Sequence, residues 1–243
     1  MALIGKLRMT ESRCKKMEEL THRNGLCHTV RRLNGDLYTG EWKDHLRHGT
    51  GTQVWRRARL MYEGEWNQDA RHGFGILYKL QPSTKQYVKV YSGFWVNGEK
   101  EGVGTYFYSS TARYEGDWLK NKRNGWGKMI YEDGGVYEGQ WLRDKPHGQG
   151  ALILKNGDRY EGSMKHGKKH GSGRVIYKDC SRVYEGVWDD DTPKYGTVCE
   201  HYSKNTHTSK LNPFPSLALQ NVQAVLLEGF ERFCSWKNRT NEP

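Results

Sequence analysis

The sequence predicts an all-β protein: an elongated single-layer antiparallel meander of stacked hairpins, ending in a short C-terminal α-helix. Three observations carry that expectation. Tyrosine, glycine and tryptophan at alternate positions recur seven times, with one methionine variant: YTGEW (38–42), YEGEW (62–66), YSGFW (91–95), YEGDW (114–118), YEGQW (137–141), YEGSM (160–164) and YEGVW (184–188). A glycine pair begins eleven residues after each of the first six tyrosines: GTG (49–51), GFG (73–75), GVG (102–104), GWG (125–127), GQG (148–150) and GSG (171–173). Tight turn signals, such as DGG at 133–135 and NGD at 156–158, precede the next tyrosine.

Each element follows from that repeat. Successive tyrosines lie 24, 29, 23, 23, 23 and 24 residues apart, a period that marks stacked supersecondary units. In an extended strand Tyr137, Gly139 and Trp141 share one face, and Glu138 and Gln140 the other. The same holds for Tyr62, Gly64 and Trp66, and for Tyr114, Gly116 and Trp118. LRDKPH at 142–147 reads as a hairpin turn. A hairpin symmetric about it would set Trp141 across from Gly148, Gly139 across from Gly150, and Tyr137 across from Leu152. The aromatic rings would then lie flat on bare glycine backbone. Fifteen residues beyond each tyrosine, Leu77, Tyr106, Met129, Leu152 and Val175 continue the ring-rich face, with Gln53 the exception, and two residues beyond that position come Trp55, Tyr108, Tyr131, Leu154 and Tyr177. About fourteen strands would give a ribbon on the order of 65 Å long, curved into a trough by its twist. The seventh copy is looser, with Gly196 one place late and Val198 in place of a second glycine.

These residues resemble the MORN repeat (membrane occupation and recognition nexus) from about residue 22 to about residue 198. NGLCHTVRRLNGD at 24–36 reads as the second half of a worn extra copy, with Gly25 in the glycine position and Cys27 replacing its partner. The long gap between Tyr62 and Tyr91 holds an insertion around KLQPSTKQYVKV, expected as a longer loop with Pro82 and Ser83 at its tip. The expected organisation is a basic arm (1–21), the meander (22–198), a linker (199–215), an amphipathic helix (216–236) and a tail (237–243). Ser216 is a candidate N-cap, and Leu219, Val222, Leu226, Phe230 and Phe233 fall on one helical face. Two readings of that helix stand: it caps the last hairpin, or it inserts into a partner.

Composition bounds the function. Only 35% of the 243 residues are hydrophobic, too few for a large globular core, while 29 glycines, 15 tyrosines and nine tryptophans are mostly absorbed by the repeat. No stretch has the roughly 18 apolar residues of a membrane span, and the opening MALIGKLRMTESRCKKMEEL is not a secretory signal. Five scattered cysteines without CxxC fit a reduced, cytoplasmic chain.

No catalytic, cofactor or metal site is expected. GSMKHGKK (162–169) ends in Lys169 where a phosphate loop needs a hydroxyl, and a strand rather than a helix should follow. His48, His72, His147 and His170 recur before the glycines, but equivalent positions lie two strands, about 10 Å, apart. They read as solvated turn residues. Glu63, Glu115, Glu138, Glu161 and Glu185 form an acidic file whose surroundings repeat, so no two differ as acid and base must. A basic file at the turns, Arg47, Arg71, Lys100, Arg123, Lys145, Lys168 and Lys169, forms one long edge. Of the net charge of +11, residues 1–32 carry +5 (eight basic, three acidic).

The expected function is a non-enzymatic scaffold or adaptor for protein partners. Its first candidate surface is aromatic (Tyr108, Trp126, Tyr131, Tyr177), and the basic edge is second. The alternative is a peripheral membrane binder that takes anionic lipid on the basic turns. Single-stranded RNA is a weaker third class, because the aromatics already have a structural use. The exposed edge strands leave end-to-end self-association open. The resemblance implies more: cytoskeletal, ciliary or flagellar and acrosomal assemblies, with small members linked to male germ cells and spermatogenesis.

Overall fold

The computed structural model describes residues 23–200 and the isolated positions 227 and 231. Fifteen strands follow in order: β1 (Gly25–Arg31), β2 (Leu37–Lys43), β3 (Leu46–Trp55), β4 (Leu60–Asn67), β5 (Ala70–Gln81), β6 (Gln86–Val96), β7 (Glu99–Phe107), β8 (Arg113–Leu119), β9 (Lys122–Ile130), β10 (Val136–Leu142), β11 (Lys145–Ile153), β12 (Arg159–Lys165), β13 (Lys168–Tyr177), β14 (Arg182–Asp189) and β15 (Thr192–Glu200). They form one open antiparallel sheet in which each strand pairs with its neighbours in sequence. The count exceeds fourteen by one because the half copy contributes β1. Its Gly25 lies opposite Trp42 and its Cys27 opposite Gly40. Strand β15 takes the first two residues of the expected linker. The basic arm (1–21), the rest of the linker, the helix (216–236) and the tail fall outside the described residues, apart from the two isolated positions.

The register agrees with the sequence reading at two of three points. Tyr137 faces Leu152 and Gly139 faces Gly150, but Trp141 faces Pro146, not Gly148. The turn is shorter than LRDKPH: only Arg143 and Asp144 form it, with φ of 48° and 70°. A two-residue loop with both positions left-handed matches the twist of its flanking strands. The shortened turn leaves His147, Gly148 and Gln149 against the single residue Gln140, a bulge. Gly148, at φ 64°, supplies the left-handed residue that the bulge needs. It lies opposite Met164 on the next strand instead.

A single-layer sheet has no second layer to bury its rings, so it buries them against its own backbone. Tyr38, Tyr62, Tyr91, Tyr114, Tyr137 and Tyr160 are all fully buried. A Cβ at Gly139 would lie 2.5 Å from Cα of Gly150, and a Cβ at Gly150 would lie 2.5 Å from the Tyr137 hydroxyl. The paired glycines therefore clear room for both the neighbouring strand and the ring. A buried aromatic removes roughly 150–250 Å² from water, up to about 4–6 kcal/mol at ~25 cal/mol per Å². That exceeds what a lone hairpin turn supplies, so the rings dominate the stability of each copy.

Two departures lie near the insertion. It lengthens strands β5 and β6 rather than opening a long loop, and Pro82–Lys85 make the turn, with Lys85 at φ 55°. On the opposite face, Phe74 and Ile76 are buried with Tyr78 and Phe94 packed on them. In the seventh copy Gly196 faces Gly186 under the Tyr184 ring, so it acts as the second glycine despite its offset.

Replacing Gly150 with alanine forces a methyl into the Tyr137 ring and is expected to cost about 3 kcal/mol. Gly134→Ala has open space around it and pays only for its positive φ, about 1 kcal/mol. Urea unfolding of the two variants checks the order.

Candidate functional site: the ring-lined face

The face is a ladder of edge-on rings. Tyr62 stands 5.1 Å from Trp66 of its own copy and 5.6 Å from Trp95 of the next, with the ring planes near perpendicular. Tyr91 repeats this with Trp95 and Trp118 at 5.0 and 5.5 Å, and Tyr114 with Trp118 and Trp141 at 5.3 and 5.2 Å. Edge-to-face pairs set a positive ring edge against a negative ring face. Hydrogen bonds lock both partners. The hydroxyls of the six buried tyrosines each donate to the carbonyl three residues on, as from Tyr62 to Glu65 at 3.0 Å. Each indole Nε1 donates to a glycine carbonyl of the preceding copy: Trp66 to Gly51, Trp95 to Gly75, Trp118 to Gly104 and Trp141 to Gly127, at 3.0–3.2 Å. At Trp42, beside the bulged β1, the buried Nε1 has no partner among the described residues.

Most of the expected basic edge is built into this ladder. Arg47 lies 4.2 Å from the Trp66 ring centroid, Arg71 4.0 Å from Trp95, Lys100 4.4 Å from Trp118, Arg123 4.3 Å from Trp141 and Lys169 4.8 Å from Trp188. The short turns explain this, because the basic residue falls on the strand and is aimed at the rings. Arg47 also donates through Nε to Asp69 at 2.8 Å, and Arg123 to Asp144 at 3.3 Å. Burial alone would raise the Asp69 carboxyl, but the hydrogen bonds and charge of Arg47 outweigh it and hold it below its usual value. Burial among the rings pulls the Lys100 ammonium down to about 8. Where tryptophan gives way to Met164, the cation gives way to Pro146. Lys145 and Lys168 stay exposed, the latter 3.0 Å from Asp190.

The four residues of the expected aromatic surface do not share a face. Tyr108 is 48% exposed and Tyr177 37% exposed, while Tyr131 is half-buried; all three continue the ring-lined face. Trp126 pairs with Gln140 between Gly125 and Gly127, so it points to the opposite face. The tyrosines are not equivalent either, because Tyr108 packs on Tyr106 at 4.7 Å.

Three of the five acidic-file residues are engaged by bases: Glu115 with Arg113, Glu138 with Lys128, and Glu161 with both Arg159 and Arg174. The four histidines are half-buried strand residues rather than solvated turn residues, and their Nδ1 atoms are shielded. Among the described residues His170, Asp189 and Asp190 bring donor atoms within 4.8 Å of one another, but Lys194 and Lys168 already neutralise the two carboxylates. Sequence reasoning missed the fourth residue of the motif in four of the seven copies. Glu65, Asp117 and Gln140 accept the backbone N–H of Phe74, Trp126 and Gln149 at 2.8–2.9 Å and so hold the glycine bulge. The signal was present in YEGEW, YEGDW and YEGQW, whose fourth letter is always an acid or its amide.

Paired tyrosine hairpins, a glycine floor and cation-capped tryptophans define a repeat protein of MORN type. The MORN repeat profile matches residues 38–57, 62–79, 91–113, 114–136, 137–159 and 160–179, and the chain belongs to that family. It is 50% identical over 228 residues to MORN repeat-containing protein 3 of Xenopus laevis, spanning 94% of this chain and 96% of that one. Shorter stretches match the proteins of that name from Mus musculus, 47% over 45 residues (18% of this chain, 19% of that one), and Homo sapiens, 48% over 42 residues (17% and 18%). The profile ends at residue 179, before hairpin β14–β15.

Two outcomes follow. Arg123→Ala should cost about 1–2 kcal/mol and Arg123→Lys less than half of that, since lysine keeps the charge over Trp141; thermal unfolding reads the difference. Desolvation raises all six buried tyrosines, Tyr160 to about 12 and the others further. Unfolded tyrosines ionise near 10, so the stability from Tyr160 is intact below about pH 10 and lost as pH rises from about 10 to about 12. Near-ultraviolet titration should show the last phenolates, those of the six buried tyrosines, appearing together with unfolding rather than before it.

Proposed function

We propose that this chain is a non-enzymatic scaffold that binds protein partners along its ring-lined face. The observation that carries this reading is the exposure of Tyr108 and Tyr177, with half-buried Tyr131 between them along the ladder. No second layer covers them among the described residues. Aromatic side chains on a rigid sheet bind at low entropic cost, and a repeat ribbon spreads contacts over a long surface. Glu115, Glu138 and Glu161 each pair with a base and not with a second carboxylate, which argues against an acid–base couple of carboxyls.

The lipid reading loses support, since Arg47, Arg71, Lys100, Arg123 and Lys169 are spent on tryptophan rings. Following the family resemblance, the setting we propose is cytoskeletal: ciliary, flagellar or acrosomal assemblies of male germ cells.

Proximity labelling in a ciliated or germ-line cell, followed by direct binding of the strongest hit, tests this. Tyr108→Ser, Tyr131→Ser and Tyr177→Ser together should weaken that binding at least about tenfold with the circular dichroism of the sheet unchanged. Lys145→Glu with Lys168→Glu should leave it intact. Unchanged binding in the triple variant would sink the reading. So would salt-sensitive sedimentation with anionic vesicles that the charge reversal abolishes.

A further inference from the structure

The sheet contains a free edge inside its own length. Strands β5 and β6 run on past their neighbours: Lys79 pairs with Val88, Leu80 with Tyr87 and Gln81 with Gln86. On its other side β6 pairs with β7 only as far as Tyr91 and Tyr106. Beyond that point the chain leaves β7, and Tyr108 and Ser109 bond back to Ala112 in the turn that leads into β8. Among the described residues, no strand pairs with β6 from Gln86 to Val90 on that side. At ~3.3 Å per residue this edge is about 16 Å long. Unpaired backbone donors and acceptors on an exposed strand are a template for another strand.

The gap beside this edge is a cleft of about 790 Å³, a usual size for a binding cleft. Val88, Val90, Tyr106, Phe107 and Tyr108 supply its apolar wall. Lys79 and Lys89 also line it, with no acidic residue among the lining, and the Lys89 ammonium reaches to 5.8 Å from the Phe107 ring. Val88 is 44% exposed on the strand edge itself. Charge selects the occupant. A second copy paired on the same edge would bring lysine against lysine, which disfavours self-pairing. A segment carrying carboxylates among aliphatic side chains meets complementary charge and the apolar wall at once.

We propose that β6 from Gln86 to Val90 is a docking strand that takes up an extended, acidic and aliphatic segment of a partner protein by strand addition. Main-chain hydrogen bonds to the β6 edge provide the affinity. Contacts of its side chains with Lys79, Lys89 and Tyr108 provide the preference. This rests on the scaffold reading and adds a second surface to it, apart from Tyr131 and Tyr177.

The test uses the full chain and a short labelled peptide of alternating valine and glutamate bearing a photoreactive group. Fluorescence anisotropy should show saturable binding. N-methylation of alternate peptide amides should abolish it, and replacing glutamate with lysine should abolish it too. Lys79→Glu with Lys89→Glu should weaken it roughly tenfold. Crosslinks should fall on residues 86–90 and 106–110. The proposal is overturned by no saturable binding, by indifference to N-methylation, or by crosslinks on Tyr131 and Tyr177. The last outcome would leave the ring-lined face standing as a binding surface, so the two readings fail separately. The N-methylated peptide is read against the unaltered chain, so misfolding of the charge variant leaves that arm intact.

Discussion

Everything in this sheet depends on the contact between a tyrosine ring and the second glycine of the facing pair. A single layer offers a ring only water on one side and main chain on the other. With Gly150 under Tyr137 and Gly139 beside it, the ring reaches van der Waals distance of two strands at once and disappears from solvent. Any side chain there would hold the ring away from the backbone and let water in. The glycines would ordinarily weaken a strand by their freedom in the unfolded chain. The burial of a whole aromatic side chain offsets that loss in each copy.

The second constraint couples the copies. Each motif tryptophan from Trp66 onward is fastened by elements on both sides of it: a tyrosine edge, a glycine carbonyl and a cation from the preceding copy, and a tyrosine from its own. No copy therefore owns its core, and the stability of the ribbon is a property of its junctions. The junction between β11 and β12 makes the dependence visible. There Met164 replaces tryptophan and Pro146 replaces the cation together, so neither change leaves an unmatched charge over a missing ring. A methionine thioether fills the same space without needing a donor or a cation.

Much of this was legible in the letters. Period, strand order, half copy, glycine floor and the facing of Tyr137 with Leu152 all follow from spacing and the alternation of faces. The placement of Arg47, Arg71 and Arg123 did not, because it depends on where the turn sits. LRDKPH has several residues with turn preference, and only the left-handed pair Arg143 and Asp144 shows that lysine and proline already belong to the next strand. Trp126 is a different case: it stands between Gly125 and Gly127, so simple alternation from Gly127 and Met129 already turns it to the far face, and grouping it with the three tyrosines was an oversight of spacing. The cluster of Phe74, Ile76, Tyr78 and Phe94 was hidden by a different limit: periodicity assigns a face, and these residues occupy the one taken to be solvated.

The fifteen strands of the described residues carry one last implication. An odd number of antiparallel strands makes the first and last run the same way. Copies stacked by simple translation would thus bring β15 beside the next chain's β1 in parallel, breaking the hydrogen-bond pattern that every internal junction uses. Keeping that pattern across a boundary between chains requires one chain to be rotated by half a turn relative to the other. The half copy at the beginning is what sets this parity: without β1 the two ends would be opposite in sense, and the ribbon could be extended like bricks in a course.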